Sequence, residues 1–145
     1  MKVIVQRVLN ASVTVNDEIV SSIQKGLLLL VGFEKGDTEQ QLKWCAEKIS
    51  KLRIFEDEQG KMNLNIHQVQ GEILSVSQFT LAADIQKSNR PSFTNSQDAN
   101  LAKDQFDQFN HYLGLLECKV STGIFQEDMK VSLVNDGPVT IIVER

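Results

Sequence analysis

The sequence predicts an α+β fold in which a strongly curved, barrel-like and mainly antiparallel β-sheet carries two packed α-helices. Three observations lead to this fold class. Short segments of alternating apolar and polar residues recur along the chain, as in strands with one buried face. The run GLLLLV (26–31) is apolar throughout, which indicates a strand buried on both faces. Two longer segments repeat apolar residues at helical intervals, and helices among closely spaced strands favour α+β.

The N-terminal part of the chain is predicted to consist of strands. KVIVQRVL (2–9) and SVTVNDEIV (12–20) alternate and indicate strands joined by turns, with Asn16-Asp17 as a hairpin corner. The apolar run 26–31 follows as the third strand. The 145 residues are enough to bury a core, and we expect one domain over residues 1–145.

A first helix is predicted within GDTEQQLKWCAEKISKLRIF, ending near Lys51. Thr38 and Gln41 have the spacing of a capping box. The apolar stripe consists of Leu42, Cys45, Ile49 and Leu52.

A second helix is predicted within DANLAKDQFDQFNHYLG. Gly114 is expected to terminate it, since glycine favours the residue after a helix end. Its apolar stripe consists of Ala99, Ala102, Phe106, Phe109 and Leu113.

The remaining segments complete the predicted sheet. LRIF and MNLNI flank the turn EDEQGK and suggest a hairpin, and GEILSVSQFTLAAD suggests a strand that ends around Leu81. In that strand Ser77 and Phe79 would face one side, and Gln78 and Thr80 the other. IQKSNRPSFTNSQ reads as a polar loop. The strands CKVS, MKVSLV and VTIIVE close the chain.

Composition limits the classes of function. The chain has 41% apolar and 23% charged residues, a net charge of −4 and a pI near 5.2, which argues against a broad nucleic-acid-binding surface and against DNA as a partner. A small basic site for a few phosphates remains compatible with this charge. The N-terminal MKVIVQRV has no signal-peptide pattern, and GLLLLVGF is too short to span a bilayer. We therefore expect a cytoplasmic protein without a membrane partner.

The sequence offers no familiar catalytic side-chain set. Cys45 and Cys118 are far apart without a CxxC motif, so we expect reduced thiols, no metal site and no cofactor. His67 and His111 belong to no recognisable triad. Two segments remain as candidates: SVSQFTL, whose polar residues follow an apolar strand, and NDGPVT, whose Gly137-Pro138 interrupts a strand pattern.

The segments VSLVNDGPVT, LSVSQFTL and NRPSF together resemble the D-aminoacyl-tRNA deacylases. The likeness extends over nearly the whole chain through VQRV, GLLLLVG, KLRIFEDEQGKMN and the spacing of Gly123, Phe125 and Met129. This resemblance implies a homodimer with a barrel-like fold. It also implies hydrolysis of the ester that links a D-amino acid, or mischarged glycine, to the 3′ end of tRNA.

The resemblance assigns roles to the two candidate segments. Gly137 and Pro138 would form a cis peptide that reaches across the dimer, where its carbonyl oxygens exclude L side chains, and Arg7 would brace these carbonyls. The opposite wall would be formed by Ser77, Gln78, Phe79 and Thr80, which would hold the terminal adenosine and place the ester. Phe125 and Met129 would complete the substrate-binding set.

The family mechanism implied is substrate-assisted: the ribose 2′-OH helps to activate water, and Thr80 is not the nucleophile because no base is evident beside it. Two other readings stay open. One is a catalytically silent RNA- or protein-binding module on the same fold. The other is a generic esterase that uses Thr80, or Ser77 with His67.

Overall fold

A computed structural model of the chain describes all residues from Met1 to Arg145. Strands dominate its N-terminal and C-terminal parts, and a short 3₁₀ helix (Phe79–Ala82) follows the sixth strand. The elements are β1 (Lys2–Val15), β2 (Glu18–Ile23), β3 (Gly26–Gly32), α1 (Glu39–Lys51), β4 (Phe55–Glu56), β5 (Met62–Leu64), β6 (Glu72–Ser77), α2 (Ala99–Leu115), β7 (Lys119–Thr122) and β8 (Lys130–Glu144).

The main sheet is mixed, and it curls into a nearly closed barrel. Its order is β2-β1-β3-β6-β7, with β8 paired to β1. β1 is antiparallel to β2, β3 and β8, whereas β6 is parallel to both β3 and β7. The curl brings β2 beside β7, where the Ser21 hydroxyl donates a hydrogen bond to the Thr122 carbonyl. The predicted fold class is confirmed, with antiparallel pairs in the majority.

Two long strands replace the shorter ones that the sequence suggested. Residues 2–15 form one strand rather than two joined by a turn, and Asn16-Asp17 then makes the expected corner with φ of 49° and 64°. The segments on either side of NDGPVT also belong to one strand, β8. Val8 pairs with Asn135 and Gln6 with Thr140, so residues 136–139 leave the ladder as a bulge. The expectation of separate strands was wrong because the same partner strand resumes pairing beyond the bulge.

Both predicted helices form. Thr38 precedes α1, and its N–H donates to the side chain of Gln41 at 2.8 Å, as the capping-box spacing indicated. Asp98 caps α2 by accepting from the N–H groups of Asn100 and Leu101. Gly114 does not terminate α2, which continues to Leu115.

The core is divided between the two faces of the sheet. Leu27, Leu29 and Val31 of β3 pack with the helices in the larger cluster, whereas Leu28 lies in a smaller cluster inside the barrel. The prediction of a strand buried on both faces is therefore confirmed. None of the helices has both the length and the apolar character needed to cross a bilayer.

Candidate functional site

A cavity of about 600 Å³ opens where the parallel strands β3 and β6 end. Its walls come from these two strand ends, from the start of α2 with the loop before it, and from the segment before β8. The lining residues are Val31, Phe33, Val76, Ser77, Gln78, Phe79, Ser96, Gln97, Ala99, Ala102, Phe125, Gln126, Glu127, Asp128, Met129 and Val131. The wall therefore combines an apolar floor with polar groups at the rim, as small-molecule sites do.

The SQFTL segment forms one wall of this cavity through a change of backbone shape. β6 ends at Ser77, and Gln78 donates its N–H to the Val31 carbonyl at 2.7 Å before the 3₁₀ helix begins. A Cβ on Gly32 would lie only 2.9 Å from both the Gln78 carbonyl oxygen and Leu81 Cβ. The backbone of residues 78–81 thus passes close to Gly32. The predicted strand to Leu81 was wrong because this crossing requires a helical turn.

The turn separates the predicted site residues. Ser77, Gln78 and Phe79 line the cavity, but Thr80 does not. The Thr80 hydroxyl accepts a hydrogen bond from Gln78 Nε2 and contacts no histidine or carboxylate. No loop carbonyl or side chain accepts from the N–H groups of Phe79 and Thr80, and the first N–H groups of a 3₁₀ helix have no partner within that helix. Two free backbone donors therefore lie at the start of the 3₁₀ helix, beside the cavity wall.

Phe125 and Met129 form the facing wall. The Phe125 ring packs against Phe106 of α2 with 6.1 Å between centroids. Met129 Sδ fills the space beside Gly123, where a Cβ would lie 2.6 Å from the sulfur. The structure thus brings five of the predicted residues, from two distant segments, around one cavity.

The Gly137-Pro138 segment lies elsewhere, on the exposed side of the β8 bulge. Its peptide bond is cis. Asn135 closes the bulge, because its Oδ1 accepts from Val139 N at 2.7 Å and its Nδ2 donates to Thr140 Oγ1 at 3.0 Å. Gly137 has a φ of 138°, and a Cβ there would lie 2.7 Å from Val139 Cγ2. The segment is therefore held in one shape while both residues stay exposed.

Arg7 supports this bulge from inside the protein. It is 3% exposed, and its Nε donates to the Asp136 carbonyl at 2.9 Å while Nη1 donates to the Ile54 carbonyl at 2.7 Å. Carboxylates of Asp136 and Glu56 lie at 3.4 and 3.5 Å. Each of the three guanidinium nitrogens thus has an acceptor nearby, which offsets the cost of burying the charge. It touches the Asp136 carbonyl rather than those of Gly137 and Pro138.

The bulge and the cavity lie at opposite ends of β3. Arg7 pairs with Leu27, near the start of β3, whereas Val31 and Phe33 line the cavity at its end. At about 3.3 Å per strand residue, the span along β3 from Leu27 to Val31 and Phe33 is about 13–20 Å. Within one chain they do not form a single site.

Comparison with known proteins assigns the family. The family model described as D-Tyr-tRNA(Tyr) deacylase matches residues 4–144. The chain belongs to this family. It is 51% identical over 144 residues to D-aminoacyl-tRNA deacylases of Geobacter metallireducens and Lactobacillus gasseri. The alignments cover 99% of this chain and 95% and 99% of those proteins.

Two solved structures show the deacylase-family fold. The structure titled c-Myc DNA Unwinding Element Binding Protein superposes with a TM-score of 0.94 at 40% identity, covering 100% of this chain and 99% of that one. A probable eukaryotic D-amino acid tRNA deacylase superposes with a TM-score of 0.82 at 15% identity, covering 98% and 97% of the two chains. The second likeness concerns the fold alone.

The other chemically interesting side chains of this deacylase-family chain lie outside the cavity. His67 Nε2 is 3.9 Å from Cys118 Sγ beside a smaller cavity of about 190 Å³, so it is not paired with Ser77. Burial raises the pKa of the Cys45 and Cys118 thiols to about 11, which keeps both protonated near neutral pH. No group of three potential metal ligands is present.

Sequence reasoning missed the cavity residues contributed by β3 and by the start of α2. These are Val31, Phe33, Ser96, Gln97, Ala99 and Ala102. One signal was available: a strand buried on both faces, followed by a helix, is typical of parallel pairing, and parallel strand ends meet at one edge.

Proposed function

We propose that the protein hydrolyses the ester bond of D-aminoacyl-tRNA and releases free tRNA and the D-amino acid. The family and the names of the 51% identical relatives support this reaction. One structural observation carries it further. The two motif segments 77–79 and 125–129 face each other across a cavity of about 600 Å³, a volume in the usual range for sites that take small ligands.

In this proposal the cavity receives the aminoacyl-adenosine end of the tRNA. Ser77, Gln78 and Phe79 hold the terminal adenosine and place the ester, while Phe125 and Met129 form the opposite side. The free N–H groups of Phe79 and Thr80 are available to stabilise an oxyanion. Removing one such donor typically costs about 2.7–4 kcal/mol of transition-state stabilisation.

The stereochemical filter is proposed to come from a second copy of the chain. The exposed Gly137-Pro138 segment is separated from its own cavity by about 13–20 Å along β3, at about 3.3 Å per strand residue, so it would act on the cavity of a partner in a homodimer. Its carbonyl oxygens would then meet an L side chain. A D side chain points away, and glycine has nothing to collide, so glycyl-tRNA would also be hydrolysed.

Water, rather than a protein side chain, is the proposed nucleophile. The Thr80 hydroxyl lies outside the cavity and has only Gln78 beside it, so no base activates it. The ribose 2′-OH of the substrate would assist the water, and the protein would supply position and exclusion. The same geometry disfavours an esterase based on Ser77 with His67, since His67 contacts Cys118 instead.

A catalytically silent RNA-binding module is the alternative function that must be distinguished from the deacylase. The net charge of −4 supports neither a broad RNA surface nor DNA binding, whereas a cavity of about 600 Å³ with backbone donors beside it suits turnover. We place the reaction in the cytoplasm, where aminoacyl-tRNA is used.

A deacylation assay with matched D-Tyr-tRNA and L-Tyr-tRNA tests the proposal. We expect rapid release from the D form and no release from the L form. Release from both would leave an esterase without the filter. Binding of tRNA without release from either would favour the silent module.

A further inference from the structure

The loop between the 3₁₀ helix and α2 projects from one rim of the cavity. Asp84 and Ser92 exchange two backbone hydrogen bonds, of 2.8 and 2.9 Å, and so close residues 84–92 into a hairpin-like loop. Asp84 Oδ1 also accepts from Gln86 N. All nine residues are exposed. We call this segment the 84–92 loop.

The residues that follow the 84–92 loop anchor it to the cavity wall. Phe93, directly after it, packs edge-on against Phe79 with 5.1 Å between ring centroids. Lys35 Nζ donates to the Thr94 carbonyl at 2.7 Å, and Ser96 lines the cavity. A ligand that leaves the cavity past Phe79 therefore meets the 84–92 loop next.

The two rims of the cavity carry opposite charge. The 84–92 loop holds Lys87 and Arg90 against the single carboxylate of Asp84, so its net charge is +1, and neither cation takes part in an ion pair. The facing rim holds the exposed Glu127 and Asp128. In a chain with a net charge of −4, two unpaired cations beside the opening create a local positive field, and the acidic rim directs a polyanion toward it.

We propose that the single-stranded 3′ end of the tRNA leaves the cavity over the 84–92 loop. Lys87 and Arg90 bind the phosphates of the nucleotides that precede the terminal adenosine. Glu127 and Asp128 close the opposite exit by charge repulsion. This inference rests on the proposed function, and it adds the direction and the contacts of the RNA strand. Phosphate contacts of this kind position a nucleic acid without reading its sequence.

The test compares two substrates of different length. Lys87→Gln/Arg90→Gln is assayed with D-Tyr-tRNA and with the D-tyrosyl ester of adenosine, which has no phosphate. We expect kcat/KM to fall about tenfold with the tRNA at low salt, because two phosphate contacts are lost. With the nucleoside ester we expect a rate within about twofold of the unsubstituted protein, since it ends before the 84–92 loop. Lys48→Gln/Lys51→Gln, which removes two exposed cations from the last turn of α1, is the matched control and keeps both rates.

A binding measurement tests this inference independently of the deacylase reaction. The affinity for uncharged tRNA is measured against salt concentration in the same variants. The slope of log K against log salt should decrease by about 1.4 in the Lys87/Arg90 variant, about 0.7 per cation, and not in the control. An unchanged slope, or equal losses with tRNA and nucleoside ester, overturns the inference. Absence of turnover with either substrate in the unsubstituted protein overturns the proposed reaction, while the slope still tests the loop.

Discussion

At the scale of single residues, the site depends on backbone groups more than on reactive side chains. The cavity holds no histidine, and neither cysteine lines it. Both thiols are kept neutral by burial, and the one polar side chain next to Thr80 is an amide. Apart from the rim carboxylates Glu127 and Asp128, the lining holds no side chain that commonly serves as a base, which favours the proposed activation of water by the substrate.

Replacing Thr80 by Ala tests whether the Thr80 hydroxyl takes part in the chemistry. We expect at least about a third of the activity to remain, because a hydroxyl without a base contributes little as a nucleophile. The complementary change is made in the substrate: tRNA ending in 2′-deoxyadenosine should react at least about a hundredfold more slowly, the usual range for lost general-base assistance. Single-turnover rates measure both. Loss of turnover in Thr80→Ala with retained tRNA binding, or equal rates for the two tRNAs, would contradict substrate assistance.

At the scale of elements, glycines decide where segments can approach. A Cβ on Gly26 would lie 1.8 Å from the Glu72 carbonyl oxygen, at the first pair of the parallel β3–β6 ladder. Nothing lies within 4 Å of a Cβ on Gly114, which occupies a helical position in α2. The same substitution should thus have opposite effects at the two sites.

Gly26→Ala and Gly114→Ala form a matched pair of variants. We expect Gly26→Ala to lower the free energy of unfolding by about 2–3 kcal/mol, because the backbone of β6 must shift. Gly114→Ala should raise it by about 0.5–1 kcal/mol through the better helix propensity of alanine. Urea titrations at constant m-value measure both changes. A neutral Gly26→Ala would show that the two strands are not packed so closely.

Sequence reasoning failed where the close approach of two distant segments determines the shape of the backbone. Alternation in SVSQFTL is typical of a strand, and only the crossing over Gly32 converts Phe79–Ala82 into a helical turn. Helical periodicity, in contrast, is local, so α1 and the body of α2 were predictable from their stripes. Pairing between distant segments leaves little local trace in the sequence.

At the scale of the whole molecule, the parallel pairing of β3 and β6 makes the cavity, and the antiparallel pairing of β1 and β8 makes the bulge. The motif residues were found in the sequence because both segments carry unusual polar or Gly-Pro residues. The distance between the two segments could not be predicted from the sequence, because it depends on the pairing register of β1 and β3. Arg7 pairs with Leu27, far from the cavity end of β3. In the proposed function, a site that combines the cavity with the bulge is therefore built from two copies of the chain.

Mixing two inactive variants tests whether two copies share a site. Ala99→Trp places a large side chain in the cavity from an exposed position, and Gly137→Ala displaces the bulge against Val139. Each variant alone should lose most of its deacylase activity, because the tryptophan fills the cavity and the displaced Gly137-Pro138 carbonyls no longer hold the Cα and ammonium group of the D-aminoacyl substrate. A heterodimer combines the open cavity of one chain with the intact bulge of the other, so one of its two sites works. After subunit exchange at equal amounts, about a quarter of the unsubstituted activity should return, because half of the dimers are mixed. If the mixture is shown to exchange subunits and still recovers no activity, the bulge and the cavity do not act together across two chains. That result would contradict the shared site inferred from their separation along β3.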